Sequence, residues 1–319
     1  MRIVFMGTPE TAVPALRACF EAGHEVVAAW TQPDRPAGRG GKLKAPPVKE
    51  YAESQGVAVH QPEKIRTEEA RALFESHEAE AAVVVAYGRI LPPEFLRAPR
   101  RGCVNLHFSL LPKYRGAAPV NWAIVRGERE TGVTTMLMDE GLDTGPVLLQ
   151  RPTLVGEDET APQLLARLAG MGADLLSETL RRFDEIEPRS QRDEDATHAP
   201  VLRREDGLID WALGAADIAR RVRGFQPWPN AHTVFRDRRL IIWDAVPMSP
   251  ESFSADERGL LLAAGAGEIF RVGQGGLIAV ACGGNTALGL RSVQPEGKRQ
   301  MHALDFINGN RIRVGERLG

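Results

Sequence analysis

The chain has 319 residues, 43% hydrophobic and 26% charged, with 40 Lys and Arg against 42 Asp and Glu. That length exceeds one ordinary hydrophobic core and predicts two domains, while the near-zero charge balance excludes a broadly basic, nucleic-acid-coating protein. No apolar run approaches the roughly 20 residues that cross a bilayer, so no membrane partner and a cytoplasmic location are expected, and the widely spaced Cys19, Cys103 and Cys282 suggest neither a disulfide framework nor a zinc site.

Residues 2–6 read as a buried strand followed by Gly7. Residues 9–22 suit a helix, with Thr8 as its N-cap and Pro9 at the first helical position. Residues 25–31 and 57–60 are further strands, and 67–76 a helix. The run AAVVVA at 81–86 is a continuous buried strand of the parallel-sheet kind, and 102–107 is another. This β-α-β-α order predicts an open, mostly parallel, doubly wound α/β sheet of Rossmann-like plan. Ligands in such sheets sit outside the carboxyl ends of the strands. Residues 118–127 read as a helix, 133–138 and 146–152 as strands, and 160–184 as a long amphipathic helix.

The texture changes over 187–206, which is rich in charge and has the composition of a linker. Beyond it, 215–225 is a short helix. Strands at 231–235, 240–247, 267–272, 277–281 and 287–293, punctuated by Gly and Pro, predict a small OB-like β-barrel. The expected division is a catalytic domain 1–186, a linker 187–206 and a β-barrel domain 207–319. From Gly207 onward Lys and Arg outnumber Asp and Glu by fourteen to eleven, whereas the rest of the chain is acidic. A solvated surface explains this as well as an RNA-binding one.

Chemistry concentrates in two segments. In 104–122, VNLHFSLLPKYRGAAPVNW, Asn105 and His107 lie two apart at the end of a strand, so their side chains project from one face. Burying such groups unpaired costs about 1–3 kcal/mol each; they need partners or a task. In 138–146, MDEGLDTGP, Gly141 and Gly145 let the chain bend tightly beside a ligand. Alone, this segment reads equally as a turn with solvated acids.

Together the two segments resemble the folate-dependent formyltransferase family. Its Asn-x-His-x-Ser-Leu-Leu-Pro signature matches Asn105, His107, Ser109, Leu110, Leu111 and Pro112. Its Asp-x-Gly-x-Asp-Thr-Gly loop matches Asp139, Gly141, Asp143, Thr144 and Gly145. The likeness runs through 5–9, 31–44, 83–92, 115–119, 225–229 and 294–301, the last two in a C-terminal region that shorter members lack. The resemblance implies that Asn105, His107 and Asp143 are catalytic and that 10-formyltetrahydrofolate is the co-substrate, with no metal. It places the folate against Tyr87, Gly88, Ile90, Leu91, Ser109, Leu110, Leu111, Pro112, Asp139 and Gly141. The physical reading agrees: when a neutral amine attacks the formyl carbon, charge builds on the formyl oxygen, and Asn105 and a protonated His107 can donate hydrogen bonds to it. Asp143 would stand beside His107 as a counter-charge and orient a proton-relaying water.

Two features bear on which amine is formylated. Pro9 removes an N–H from the loop after the first strand, which disfavours a phosphate cradle and hence a ribonucleotide acceptor. In 34–49, DRPAGRGGKLKAPPVK, the residues Arg35, Arg39, Lys42, Lys44 and Lys49 face only Asp34, and the glycines and prolines disfavour regular structure. By composition this is a solvated loop or a phosphate-gripping one. The resemblance implies that it reaches the acceptor end of methionyl initiator tRNA through Arg35, Arg39, Lys42 and Lys44. Lys298 and Arg299, with Arg220, Arg221 and Arg223, would hold RNA from the barrel domain. The expected reaction is formylation of that tRNA's α-amino group for translation initiation, by a monomer. The enzyme alternative is formylation of a small amine such as an amino sugar; the non-enzyme alternative is an RNA-binding protein with a defunct catalytic domain. A nicotinamide-dependent dehydrogenase is disfavoured, because no G-x-G-x-x-G follows the first strand.

Overall fold

Strands rich in Val and Ala, the central ones buried on both faces, build the N-terminal sheet of this computed structural model, which describes residues 1–37 and 42–319. They are β1 (Arg2–Gly7), β2 (Glu25–Trp30), β3 (Val59–His60), β4 (Ala81–Val85), β5 (Cys103–His107), β6 (Glu130–Leu137) and β7 (Val147–Leu154). Their order is β7-β6-β5-β4-β1-β2-β3. The first five are parallel, and β6 and β7 extend the sheet antiparallel. Every residue of β4 is buried, as a sheet covered on both faces requires. Strand order reverses between β1 and β4, which opens the crevice where open α/β sheets hold ligands. The doubly wound fold expected from the sequence is therefore the fold found.

Helices α1 (Val13–Glu21), α2 (Pro47–Ser54), α3 (Glu68–Glu75), α4 (Pro93–Arg97), α5 (Pro119–Val125) and α6 (Ala161–Arg181) accompany these strands in the chain. Thr67 caps α3 by accepting from the Ala70 amide. Thr8, expected as a cap, does something else. Pro9 is extended, and a 3-10 turn over Glu10–Ala12 precedes α1. The Thr8 hydroxyl donates to the Tyr87 carbonyl at 3.1 Å and accepts from the Gln32 amide at 3.3 Å, tying β1 to the segments that follow β4 and β2. The stretch 34–49 also carries more regular structure than its prolines suggest. Arg35–Ala37 and Lys42–Lys44 pair as an antiparallel ribbon, and Pro47 opens α2 at a position where a missing N–H costs nothing.

The chain divides into two compact units, Met1–Pro119 with Glu130–Leu154 and Leu164–Ala199, and Val120–Arg129 with Val155–Gln163 and Pro200–Gly319. The linker-like stretch is ordered into the first unit as far as Ala199. Arg189 bridges to Val147, and His198–Ala199 lies parallel to Arg115–Gly116. The apolar stripe of α6 is buried at Leu164, Leu168, Leu175, Leu176 and Leu180.

In the second unit α7 (Ala215–Gly224) and strands β8 (His232–Phe235), β9 (Arg238–Met248), β10 (Ile269–Val272), β11 (Ile278–Cys282), β12 (Thr286–Pro295) and β13 (Met301–His302) enclose a core of Ile218, Val222, Ile242, Leu288, Leu290 and Phe306. The antiparallel order is β8-β9-β12-β11-β10, with β13 on β12. Register shifts flank Asp244 in the long β9, and such bulges bend a strand. The sheet curls into an OB-like half-barrel. Four helices escaped the sequence reading, α2 and α4 in the first unit and, in this one, α8 (Ala255–Ala263) and α9 (Ala303–Asn310). Helix α8 has a reciprocal cap between Ser254 and Glu257, a signature present in the sequence. Cys19, Cys103 and Cys282 are free and buried, and burial pushes each thiol up to about 12.

Candidate active site

β5 sits between β4 and β6, and this placement positions its two polar side chains. Asn105 lies opposite Val84 on one side and Met136 on the other, and His107 opposite Thr134. Both are less than a tenth exposed. Among the described residues no hydrogen bond engages the Asn105 carboxamide, so its donors are free for a ligand. His107 Nε2 lies 2.9 Å from the Tyr114 carbonyl. A carbonyl only accepts, so Nε2 carries the hydrogen and the ring's other nitrogen is the functional one. That nitrogen, Nδ1, is 3.7 Å from Asp143 Oδ2. The structure therefore brings together two residues that lie 36 positions apart in the chain.

Asp143 has φ +55. Its Oδ2 accepts from the Gly116 amide at 2.8 Å. The surrounding loop is shaped by Asp139, whose Oδ1 accepts from the Gly141 amide at 3.1 Å and from the Thr144 hydroxyl at 2.6 Å. A Cβ on Gly141 would collide with the Thr144 side chain, and one on Gly145 with the Leu137 carbonyl. Asp139 and Gly141, expected to touch folate, are thus first of all the builders of the loop.

Residues 109–112 are held by β6 and β7. Thr134 donates to the Ser109 carbonyl at 2.6 Å and accepts from the Leu111 amide at 3.1 Å. Gln150 Nε2 donates to the Leu111 carbonyl at 2.7 Å and to Thr134 Oγ1 at 3.1 Å. Ser109 is wholly buried, and its hydroxyl donates to the Lys113 carbonyl at 2.6 Å. Leu111 packs with Met136 and Val147, and Leu91 belongs to the sheet core. Both side chains are core packing, and a ligand would meet their backbone. Leu110 is half-buried, Pro112 accepts from the Thr197 amide through its carbonyl, and Gly88 turns at φ +82. Tyr87 is buried, which pushes its phenol up to about 12; its carbonyl accepts from Thr8 and Gln32. The apolar side chains left open to a ligand are Ile90, 67% exposed, and Leu142, 59% exposed.

The basic residues divide in the same way. Arg35 and Lys44 are exposed on the ribbon. Lys42 is part of its backbone ladder, and Arg39 lies outside the described residues. Lys49 is committed: its Nζ donates to both oxygens of Asp34 and to Gln61 at 2.8 Å. The hydrogen bond from Gln61, then that from Lys49, holds the Asp34 carboxyl below the usual range. In the second unit Lys298 and Arg299 are exposed. Arg220 pairs with Asp217, Arg221 donates to the Asp206 carbonyl and Arg223 to that of Glu159, so those three have structural tasks. Tyr114, Gly116, Thr134, Gln150 and Gln191 support the site and were not foreseen. Thr134 is one of three buried threonines in β6, Thr131, Thr134 and Thr135, and nothing in the sequence set it apart from the other two.

Residues 1–180 match the family model for Formyl transferase, and residues 201–311 the model for the Formyl transferase C-terminal domain. The chain is 47% identical to a methionyl-tRNA formyltransferase of Solibacter usitatus, covering 100% of this chain and 99% of that one. It is 46% identical to a methionyl-tRNA formyltransferase of Caldanaerobacter subterraneus, covering 99% of each. Among solved structures it resembles an N-formyltransferase of Helicobacter canadensis in complex with folinic acid and dTDP-3-aminofucose, with a TM-score of 0.65, 16% identity, and coverage of 92% of this chain and 98% of that one. At that identity the likeness is one of fold.

Proposed function

The chain belongs to the methionyl-tRNA formyltransferase family, and from that membership we propose that it transfers the formyl group of 10-formyltetrahydrofolate to the α-amino group of methionyl initiator tRNA. The observation that carries the chemistry is the approach of His107 Nδ1 to Asp143 at 3.7 Å beside the unengaged Asn105. The residues present fit a folate co-substrate. Ile90 and Leu142 offer exposed apolar surface, and the turns at 87–92 and 139–145 offer backbone polar groups to a heterocycle.

In the reaction the amine nitrogen bonds to the formyl carbon, the bond from that carbon to N10 breaks, and one proton passes from the amine to N10. Asn105 donates its amide N–H to the formyl oxygen as charge builds there. His107, fixed by its Nε2–H bond to Tyr114, turns Nδ1 towards the same region. Asp143, held by Gly116, stands opposite Nδ1 and orients the water through which the proton moves. An unperturbed α-amino group titrates at roughly 7.7–8.0, so much of the nucleophile is already neutral and no covalent enzyme intermediate is required.

The exposed Arg35 and Lys44, with Lys42 and with Arg39 beyond the described residues, are proposed to grip the phosphates of the acceptor end, and Lys298 and Arg299 to contact the RNA backbone from the second unit. The division into a catalytic domain 1–186, a connection 187–206 and a tRNA-binding domain 207–319 is part of the same proposal, as is action as a cytoplasmic monomer. The amino-sugar alternative is left with distant structural neighbours alone. The test is a formyl-transfer assay with methionyl initiator and methionyl elongator tRNA side by side. Rapid formylation of the initiator alone is expected; equal turnover of both, or of neither, would overturn the acceptor assignment.

A further inference from the structure

Asp143 lies on a loop at positive φ, in a place where a shift of its carboxylate by an ångström would take it away from His107. The Gly116 amide holds one oxygen of the side chain. The main chain is held from elsewhere. Gln191 Nε2 donates to the Asp143 carbonyl at 2.9 Å and to the Gly145 carbonyl at 2.7 Å. A carboxamide nitrogen has two hydrogens, so both are committed to the carbonyls on either side of Thr144. Its oxygen is then left to accept, and Arg115 Nε donates to it at 3.1 Å. Guanidinium only donates and carbonyls only accept, so this orientation of the amide is the one that satisfies all three contacts.

Arg115 is itself 5% exposed. Its Nη1 donates to Asp193 at 2.9 Å, and its main chain pairs with His198 in the short parallel ribbon. Burying a guanidinium is costly unless its hydrogen bonds are made; the Nε bond goes to Gln191, the side chain that holds the Asp143 loop, and the Nη1 bond to Asp193, while Nη2 is buried without a partner among the described residues. Residues 115 and 116 therefore reach Asp143 twice, directly through the Gly116 amide and indirectly through Arg115 and Gln191.

We propose that Gln191, oriented by Arg115, is a positioning residue for the formyl-transfer reaction that acts through Asp143. The proposal rests on the reading of Asp143 as a catalytic group. Catalytic geometry must hold within about 0.5 Å, and a misplacement of about 1 Å costs on the order of 10²-fold in rate. Water could satisfy the two loop carbonyls in place of Gln191, but a pair of water molecules would not fix their separation or direction.

The test compares full-length Gln191→Met, Gln191→Glu, Asp143→Asn and the Gln191→Met/Asp143→Asn double variant in steady-state formyl transfer. Gln191→Met keeps the volume without the donors. Gln191→Glu keeps the partner for Arg115 and turns an acceptor towards the carbonyls, and it supplies the answer if the first variant melts at assay temperature. Each Gln191 variant is expected to lose kcat by ~10–100-fold while KM for the formyl donor changes by less than about threefold. The double variant is expected to be no slower than Asp143→Asn alone, within about twofold. Losses that multiply in the double variant, or Gln191 variants with kcat within about twofold of the parent, overturn the positioning role. Near-parental turnover of Asp143→Asn instead overturns the catalytic reading of Asp143.

Discussion

The segment 105–112 and the loop 139–145 meet at one pair of side chains, yet they are held in opposite ways. Asn105 and His107 stand on a central strand with ladders on both sides, so the sheet itself sets their direction. Asp143 stands on a loop whose shape comes from Asp139, from Gly141 and Gly145, and from Gly116 and Gln191 donating across the fold. The first arrangement is local and rigid by construction. The second depends on groups that come from three separate stretches of chain, the Asp139 and Gln191 side chains and the Gly116 amide. The site thus joins a group fixed by secondary structure to one fixed by tertiary hydrogen bonds, and the two halves should fail differently when altered.

The largest effect is expected on the strand side. His107→Ala should reduce kcat by roughly 10² or more, equivalent to about 2.7–4 kcal/mol, and, because the ring is buried and holds the Tyr114 carbonyl, should also cost about 1–3 kcal/mol of stability. A loss below about fivefold would remove His107 from the chemistry. Gly145→Ala should damage the loop side through its backbone. The added methyl meets the Leu137 carbonyl and the Asp139 amide, so about 1–3 kcal/mol of strain must be relieved by moving the loop; calorimetry together with turnover reads both consequences. If this variant kept parental activity, the loop would be far more adaptable than its hydrogen bonds imply. Thr134→Val tests the support beneath 109–112. It leaves the buried Leu111 amide short of a partner, for an expected loss of about 1–3 kcal/mol in chemical denaturation. The accompanying fall in kcat should be smaller than that of His107→Ala. The smallest effect belongs to the ribbon. Arg35→Gln or Lys44→Gln should weaken tRNA use a few-fold and lower the salt slope by about one each, with folate binding unchanged in a fluorescence titration. Equal losses for both substrates would place those residues elsewhere in the mechanism.

The same contrast explains what the sequence disclosed. The succession of strands and helices, the polar pair on β5 and the apolar stripe of α6 follow from periodicities of two and 3.6 residues, and these act over a few positions; the order of strands across the sheet does not. Thr8 misled because a good cap residue before a proline is also free to tie strand ends together. Prolines 46 and 47 resembled breakers, whereas Pro47 starts a helix. Arg115 fell within the family-like segment 115–119 but with no sign of its task, and Gln191 carried no local signal at all: a glutamine in a charged, proline-containing stretch looks like linker until Arg189 and His198 are seen to lay that stretch against the first unit. Asp143 was placed beside His107 by family resemblance alone, since no periodicity relates a strand end to a loop 36 residues later.

The three buried thiols have a practical consequence for watching the ribbon at work. With each pushed up to about 12, the reactive thiolate is on the order of one part in 10⁵ at neutral pH, and burial shields it further. Leu43, on the ribbon between Lys42 and Lys44, is 69% exposed. A Leu43→Cys variant should therefore take up a maleimide fluorophore at that one position without removal of any native cysteine. The parent protein, labelled in parallel, supplies the blank.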